Sequence, residues 1–230
     1  MEGLTTITFF KFRKNKRWAF TQMGIAPRKL KQSPGLRFFK LMGTGGGNGF
    51  SLWPDFGTYA FLGVWDNSNA AEKFLNHNPI IKTYRQKSYL TRTIKMLPLK
   101  SHGFWSGQNP FKAYSSPPTG LNMPVAVITR ATLRPARLLS FWKSVPAASK
   151  AIENAEGVQF FKGIGEWPFV QQATLSIWEN FDAVKKFAYN EKTHANIVKK
   201  TRTQNWYSED LFARFQVLSD TGSVIVKPSQ

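Results

Sequence analysis

A chain of 230 residues has room for one large domain or two of about 100 to 120 residues, each able to bury a core. Its 42% hydrophobic and 15% aromatic content is globular, and 20 Phe with 8 Trp suit a site for something flat, long or apolar as well as ordinary packing. The absence of cysteine excludes disulfides, zinc thiolates, iron–sulfur clusters and thiol nucleophiles, while a net charge of +19 favours anionic partners such as nucleic acid, phospholipid head groups or an acidic protein.

The start, Met1-Glu2-Gly3-Leu4, has no basic stretch followed by an apolar run, and no segment approaches the roughly 18 apolar residues of a membrane span. The expectation is a cytoplasmic protein, soluble or peripheral. Leu4 to Arg13 alternates and is rich in Thr, Ile and Phe, which predicts a strand; Lys14 to Ile25 reads as a short amphipathic helix. Gly35 opens a strand through Met42, followed by the glycine-rich stretch Gly43 to Gly49. That stretch lacks both the Gly-Lys-Ser/Thr of a phosphate loop and the third glycine of a dinucleotide fingerprint, so it reads as a flexible loop or the cover of a pocket.

Thr58 to Trp65 is predicted as a strand, Asp66 to Leu75 as a helix, Pro79 as the start of another helical turn or two, and Tyr89 to Leu97 as a strand. Lys100 to Pro118 is punctuated by Gly, Pro and Ser and reads as a linker, though His102-Gly103-Phe104-Trp105-Ser106-Gly107 is too aromatic for a mere tether. Beyond it come a strand over Val125–Leu133, a helix over Pro135–Lys150 bent at Pro146, and strands over Val158–Ile164 and Gln171–Trp178. Helices follow over Phe181–Tyr189 and Glu191–Thr203; Ser208 to Leu218 is expected to be helical at first and then extended, and 219–230 to fray.

The same pattern occurs twice. Gly35-Leu36-Arg37-Phe38-Phe39-Lys40 matches Gly157-Val158-Gln159-Phe160-Phe161-Lys162, and Val64-Trp65-Asp66-Asn67 matches Ile177-Trp178-Glu179-Asn180. The offset changes where the glycine loop falls, which makes that loop an insertion. The predicted class is α+β: two tandem ferredoxin-like halves (1–99 and 124–218) joined by an aromatic linker (100–123), closing through their sheets into one α/β barrel of the dimeric kind.

His194 heads a stripe with Ile197, Val198 and Thr201 at helical spacing, facing inward, and falls opposite Ile81 of the first half. A titratable ring there is either a satisfied core histidine or a ligand or acid–base group. A mononuclear iron or zinc site needs further ligands, whereas a haem needs a single axial imidazole. The 13 acidic residues are scattered, and Ser106 lacks a nucleophile elbow, so hydrolytic chemistry has no support.

Several segments carry a resemblance. They are Thr129-Arg130-Ala131-Thr132-Leu133-Arg134-Pro135, Gly163-Ile164-Gly165-Glu166 with Pro168, Gln172-Ala173-Thr174 with Ser176 and Trp178, Phe187-Ala188-Tyr189 with His194, and Thr201-Arg202 with Trp206-Tyr207, Glu209 and Leu211 to Phe215. Together with Phe104-Trp105-Ser106-Gly107 and Pro110-Phe111, they resemble the spheroidene monooxygenase family of carotenoid biosynthesis. The resemblance implies an oxygenase that hydroxylates an acyclic carotenoid near its end and oxidises it on to a keto group, with haem as cofactor, O2 as co-substrate and an external electron donor. It implies His194 as axial ligand, Arg202 as a propionate partner, Trp206 and Tyr207 beside the cofactor, and Trp105, Phe104 and Trp178 lining the substrate pocket. Arg130 would polarise bound oxygen or form a structural ion pair, with Glu209 as a neighbouring partner. Contact with an anionic membrane at its inner face would give the positive charge a purpose. The rival readings are a cofactor-free oxygenase on the same barrel, a carotenoid or lipid carrier, and a single-stranded RNA binder, the last without the expected aromatic signature.

Overall fold

The computed structural model describes residues 3–47, 51, 53–111, 123–190 and 203–223. Eight antiparallel strands close into a barrel: β1 (Leu4–Lys11), β2 (Leu36–Gly45), β3 (Pro54–Trp65), β4 (Leu90–Gly103), β5 (Val125–Leu133), β6 (Val158–Gly165), β7 (Gln171–Trp178) and β8 (Tyr207–Gly222). Around it lie α1 (Lys16–Leu30), α2 (Ser68–His77), α3 (Pro79–Lys87), α4 (Leu138–Glu153) and α5 (Phe181–Asn190).

The order around the barrel is β1-β3-β2-β6-β7-β5-β8-β4, so each half contributes a ferredoxin-like sheet with the same internal order. One seam is long, β4 pairing with β8 from Arg92↔Gly222 to Gly103↔Leu211; the other joins β2 and β6 through Gly43↔Gly165 and Thr44↔Ile164. Local details repeat between the halves. Gly35 and Gly157 both have positive φ, a Cβ on either would strike Ala70 or Ala183 at about 2.5 Å, and their carbonyls accept from Asp66 N and Glu179 N at 2.9 Å. Asn67 and Asn180 cap the following helices by accepting from Ala70 N and Ala183 N.

Strand alternation assigns the two faces. Ile7, Phe9, Leu62, Met96, Ile128, Leu175, Ala213 and Phe215 point inward and fill one continuous core. The outward residues of the first sheet pack beneath α1, α2 and α3 in a second cluster running from Leu4 to Tyr84.

Several boundaries differ from the sequence expectation. The segment expected to begin helically at Ser208 is β8 throughout, reaching Gly222. Glu209, Leu211, Ala213, Phe215 and Val217 alternate inward, and pairing with both β5 and β4 outweighs any local helical preference. β4 continues into the expected linker as far as Gly103, and β2 runs through the first glycines to Gly45, because both strands have partners there. Helix α1 begins at Lys16 and passes Pro27 to end at Leu30.

Candidate functional site

Two places gather polar or unusual groups. The first is the barrel end that the linker covers. Gly103, with φ +85, lets the chain turn inward, and Phe104 N donates to Asp210 O at 2.7 Å. Trp105 then plugs the barrel at 1% exposure, edge-on to Phe38 and Phe111. Its indole Nε1 donates to Glu166 Oε1 (2.6 Å), while inward-facing Lys40 donates to Glu166 Oε2 (2.5 Å) and to Ser106 Oγ (2.8 Å). Buried Arg130 forms an ion pair with Glu209, which also accepts from Ser106 N (3.0 Å) and Gly107 N (2.7 Å). Burial raises the Glu209 pKa, but the two backbone N–H groups and Arg130 outweigh it and hold the carboxyl below the ordinary value. The pairs Arg130–Glu209 and Lys40–Glu166 neutralise each other, and the ring of Trp105 lies 5.8 Å from the Arg130 guanidinium. This end is a closed, charge-balanced plug.

The second place is the outward face of the second sheet. By register, Leu4↔Trp65 corresponds to Val125↔Trp178, so Phe10 corresponds to Ala131, Tyr59 to Gln172 and Phe61 to Thr174; the β2–β6 match sets Leu41 against Gly163. Four large side chains are thus replaced by small or polar ones. The consequence shows in burial: Thr8 is fully buried, whereas its counterpart Thr129, in the middle of β5, is exposed. Among the described residues the apolar ones there form two separate clusters, Val125, Val127, Trp178, Ala183 and Val184 on one side and Leu133, Phe141, Val145 and Trp206 on the other. Thr129, Ala131 and Thr174 lie between them.

Polar atoms border this gap. Thr174 Oγ1 is buried without a hydrogen-bond partner, and so is Arg214 Nε. The Arg214 guanidinium lies 3.7 Å from the centroid of Phe181, and burial pushes its pKa down. Tyr207, against Phe141, has its phenol pushed up to about 12 by burial and then by Asp210. Small residues, of which Thr129 is exposed and Ala131, Gly163 and Thr174 are buried, with aromatic neighbours and a partly buried cation, have the chemistry that suits a flat, apolar, anionic group such as haem.

The structure brings Trp105, Arg130 and Glu209 together at the plugged end. Trp206 and Tyr207 lie beside the gap with Phe141, and Trp178 packs on Phe187 at its other border, donating to Ser176 Oγ. Phe104 is 57% exposed, with its backbone bonded to Asp210 O at the plugged end. His194 and Arg202 lie outside the described residues. His102 is exposed and stacks on Phe212, and His77 is exposed at the end of α2. Sequence reasoning missed Arg214, Thr174 and Lys40; comparing the two halves position by position along each strand would have exposed the loss of large residues around Thr174.

The chain is 32% identical over 206 residues to spheroidene monooxygenase of Rhodobacter capsulatus, covering 90% of this chain and 86% of that protein. It is 32% identical over 220 residues to spheroidene monooxygenase of Cereibacter sphaeroides, covering 94% and 67%. No family model matches. Among solved structures, an aldoxime dehydratase in complex with butyraldoxime has a similar fold, with TM-score 0.58 and 10% identity over 94% of this chain and 80% of that one.

Proposed function

The chain belongs to the spheroidene monooxygenase family, and on that premise we propose that it is an O2-dependent oxidoreductase that hydroxylates an acyclic carotenoid near its end and, by a second round at the same carbon, converts it to a ketone. Each round places one oxygen atom of O2 into a C–H bond and releases the other as water, with two electrons from an external donor and two protons from solvent. The second round gives a geminal diol that loses water to leave the carbonyl.

We place haem, the cofactor this reading requires, on the outward face of the second sheet. The observation that carries this is the contrast between buried Thr8 and exposed Thr129 at equivalent positions. Bound there, haem would supply the activation of O2. Ala131, Gly163 and Thr174, buried but small, put no ring in the way of a macrocycle, and Trp178, Phe187, Phe141 and Trp206 would keep water from its borders. Arg214 is the described cation suited to a propionate, with Arg202 as a second. His194 would be the residue that holds the haem iron, by its match to Ile81, which lies buried in α3 in the cluster that contains Phe10. Since Ala131 replaces Phe10, the side chain that meets α3 in the first half has no ring counterpart in the second.

The test is the visible spectrum of purified protein supplied with haem, wild type beside His194→Ala. A Soret band that is lost or shifted in the variant supports axial ligation. No band in either removes the haem assignment and leaves a cofactor-free oxygenase or a carrier.

A further inference from the structure

Three large apolar side chains stand in solvent close to the gap in the second sheet: Leu139 at 80% exposure, Trp167 at 69% and Phe169 at 42%. Leu139 opens α4, the helix that supplies Phe141 and Val145 to the border of that gap, and Trp167 and Phe169 form the β6–β7 turn. The turn is held in place. Trp142 Nε1 donates to Phe169 O (3.2 Å), Leu133 N to Val170 O (2.8 Å), and the Trp142 and Phe169 rings meet edge-on at 6.1 Å. Phe169 has φ +69, a left-handed conformation that glycine or asparagine adopts at far lower cost. The Phe169 ring packs against Trp142 on one side and remains 42% exposed on the other.

The charge around this rim is mainly positive, with exposed Asp210, near Tyr207, as an acidic neighbour. Arg134, Arg137 and Lys143 are exposed beside it, and from Met123 to Ile152 the sequence has no acidic residue. Glu166, which precedes the turn, is directed inward to Lys40 and Trp105. A rigid apolar edge flanked by Arg and Lys is complementary to the surface of an anionic bilayer, where aromatic rings enter the headgroup region and cations stay at the phosphates.

A second exposed patch exists at the opposite barrel end, where Phe20 (58%) meets Phe56 (57%) near Trp53 (76%), again among Lys and Arg. It borders the first sheet, whose outward face is filled by Phe10, Tyr59 and Phe61. Docking there would turn the gap away from the lipid.

We propose that Leu139, Trp167 and Phe169, with Arg134, Arg137 and Lys143, form the face by which this protein lies on an anionic membrane and brings the second sheet to its apolar substrate. The purpose of the face rests on the carotenoid reading, but its test does not. Sucrose-loaded vesicles of phosphatidylglycerol and phosphatidylcholine are sedimented with wild type, with Leu139→Glu/Trp167→Glu, and with Phe20→Glu/Trp53→Glu. Both variants replace exposed side chains and are checked for an unchanged circular-dichroism melt. Wild type is expected to bind these vesicles and not pure phosphatidylcholine. The first double variant should bind at least about tenfold more weakly, and the second within about twofold of wild type. Equal loss in both variants, or loss only in the second, overturns the proposal. So does wild-type emission unquenched by brominated lipid, or quenching that persists undiminished in Trp167→Phe. Vesicle binding through this rim without a Soret band would leave the docking face standing and sink the haem reading; a Soret band without vesicle binding would do the reverse.

Discussion

On the outward face of the first sheet, Phe10, Leu41, Tyr59 and Phe61 make one layer under α1, α2 and α3, with Phe61 stacked on Phe74 at 5.3 Å and on Phe39 at 6.3 Å. At the same places the second sheet carries Ala131, Gly163, Gln172 and Thr174, and its apolar contacts fall into two clusters with an exposed threonine between them. The backbone is common to both: the strand order, the positive-φ glycines and the asparagine caps are shared. One scaffold therefore supports two different faces, and the difference resides in a few side chains. Where rings fill the face, it stabilises the barrel; where they are missing, we propose that it holds the cofactor.

The strongest way to break this comparison is to make the second face like the first. Ala131→Phe with Thr174→Phe restores the two central rings. Haem affinity, read by Soret titration, is expected to fall by at least about a thousandfold, equivalent to about 4 kcal/mol of binding. The melt should stay level or rise, because a buried hydroxyl without a partner is replaced by apolar surface. Unchanged haem binding would move the cofactor to another part of the molecule.

The converse change tests the first face. Phe61→Ala removes a fully buried ring and should cost about 3 kcal/mol in urea unfolding while leaving haem stoichiometry unchanged. At the matching position, Thr174→Ala should cost no more than about 0.5 kcal/mol, since Oγ1 makes no hydrogen bond in the structure. Similar costs at the two positions would mean that the second face is packed like the first.

The repeat was legible because Gly35–Lys40 and Gly157–Lys162 carry the same turn glycine and the same alternation, and such local signals survive without knowledge of contacts. Trp105 was legible as more than a tether for the same reason, since an aromatic run among glycines has no place in a solvated linker. What could not be read were pairings made by distant residues. Glu209 meets Arg130 across 79 positions, and Glu166 meets Lys40 across 126; nothing in their immediate neighbours announces either. The start of β8 misled because Ser208-Glu209-Asp210 looks like the first turn of a helix, while the partners that make it a strand, β4 and β5, lie far away in sequence. Arg214 was hidden because its alternation with Ala213 and Phe215 becomes informative only once β8 is known to be extended.

A last comparison concerns two inward lysines at matching positions, Lys40 and Lys162. Lys40 has Glu166 at 2.5 Å, so Lys40→Met leaves a mostly buried carboxylate with the Trp105 indole alone and should cost about 2 kcal/mol. Lys162 is 3% exposed and donates to the Gly47 carbonyl; burial, followed by nearby Lys11, lowers its pKa, with Asp55 opposing. Because the folded state holds that proton less tightly than the unfolded chain, Lys162 weakens the fold at neutral pH, and the penalty is relieved as pH rises through its lowered pKa. Lys162→Met should therefore stabilise the protein by about 1 kcal/mol at pH 7. Urea unfolding at increasing pH should show the advantage shrinking as the wild-type lysine loses its proton, before the ordinary lysine value of 10.5 is reached. A stabilisation that does not change with pH would assign the effect to packing rather than to charge, and the two lysines would then differ only in their neighbours' shapes.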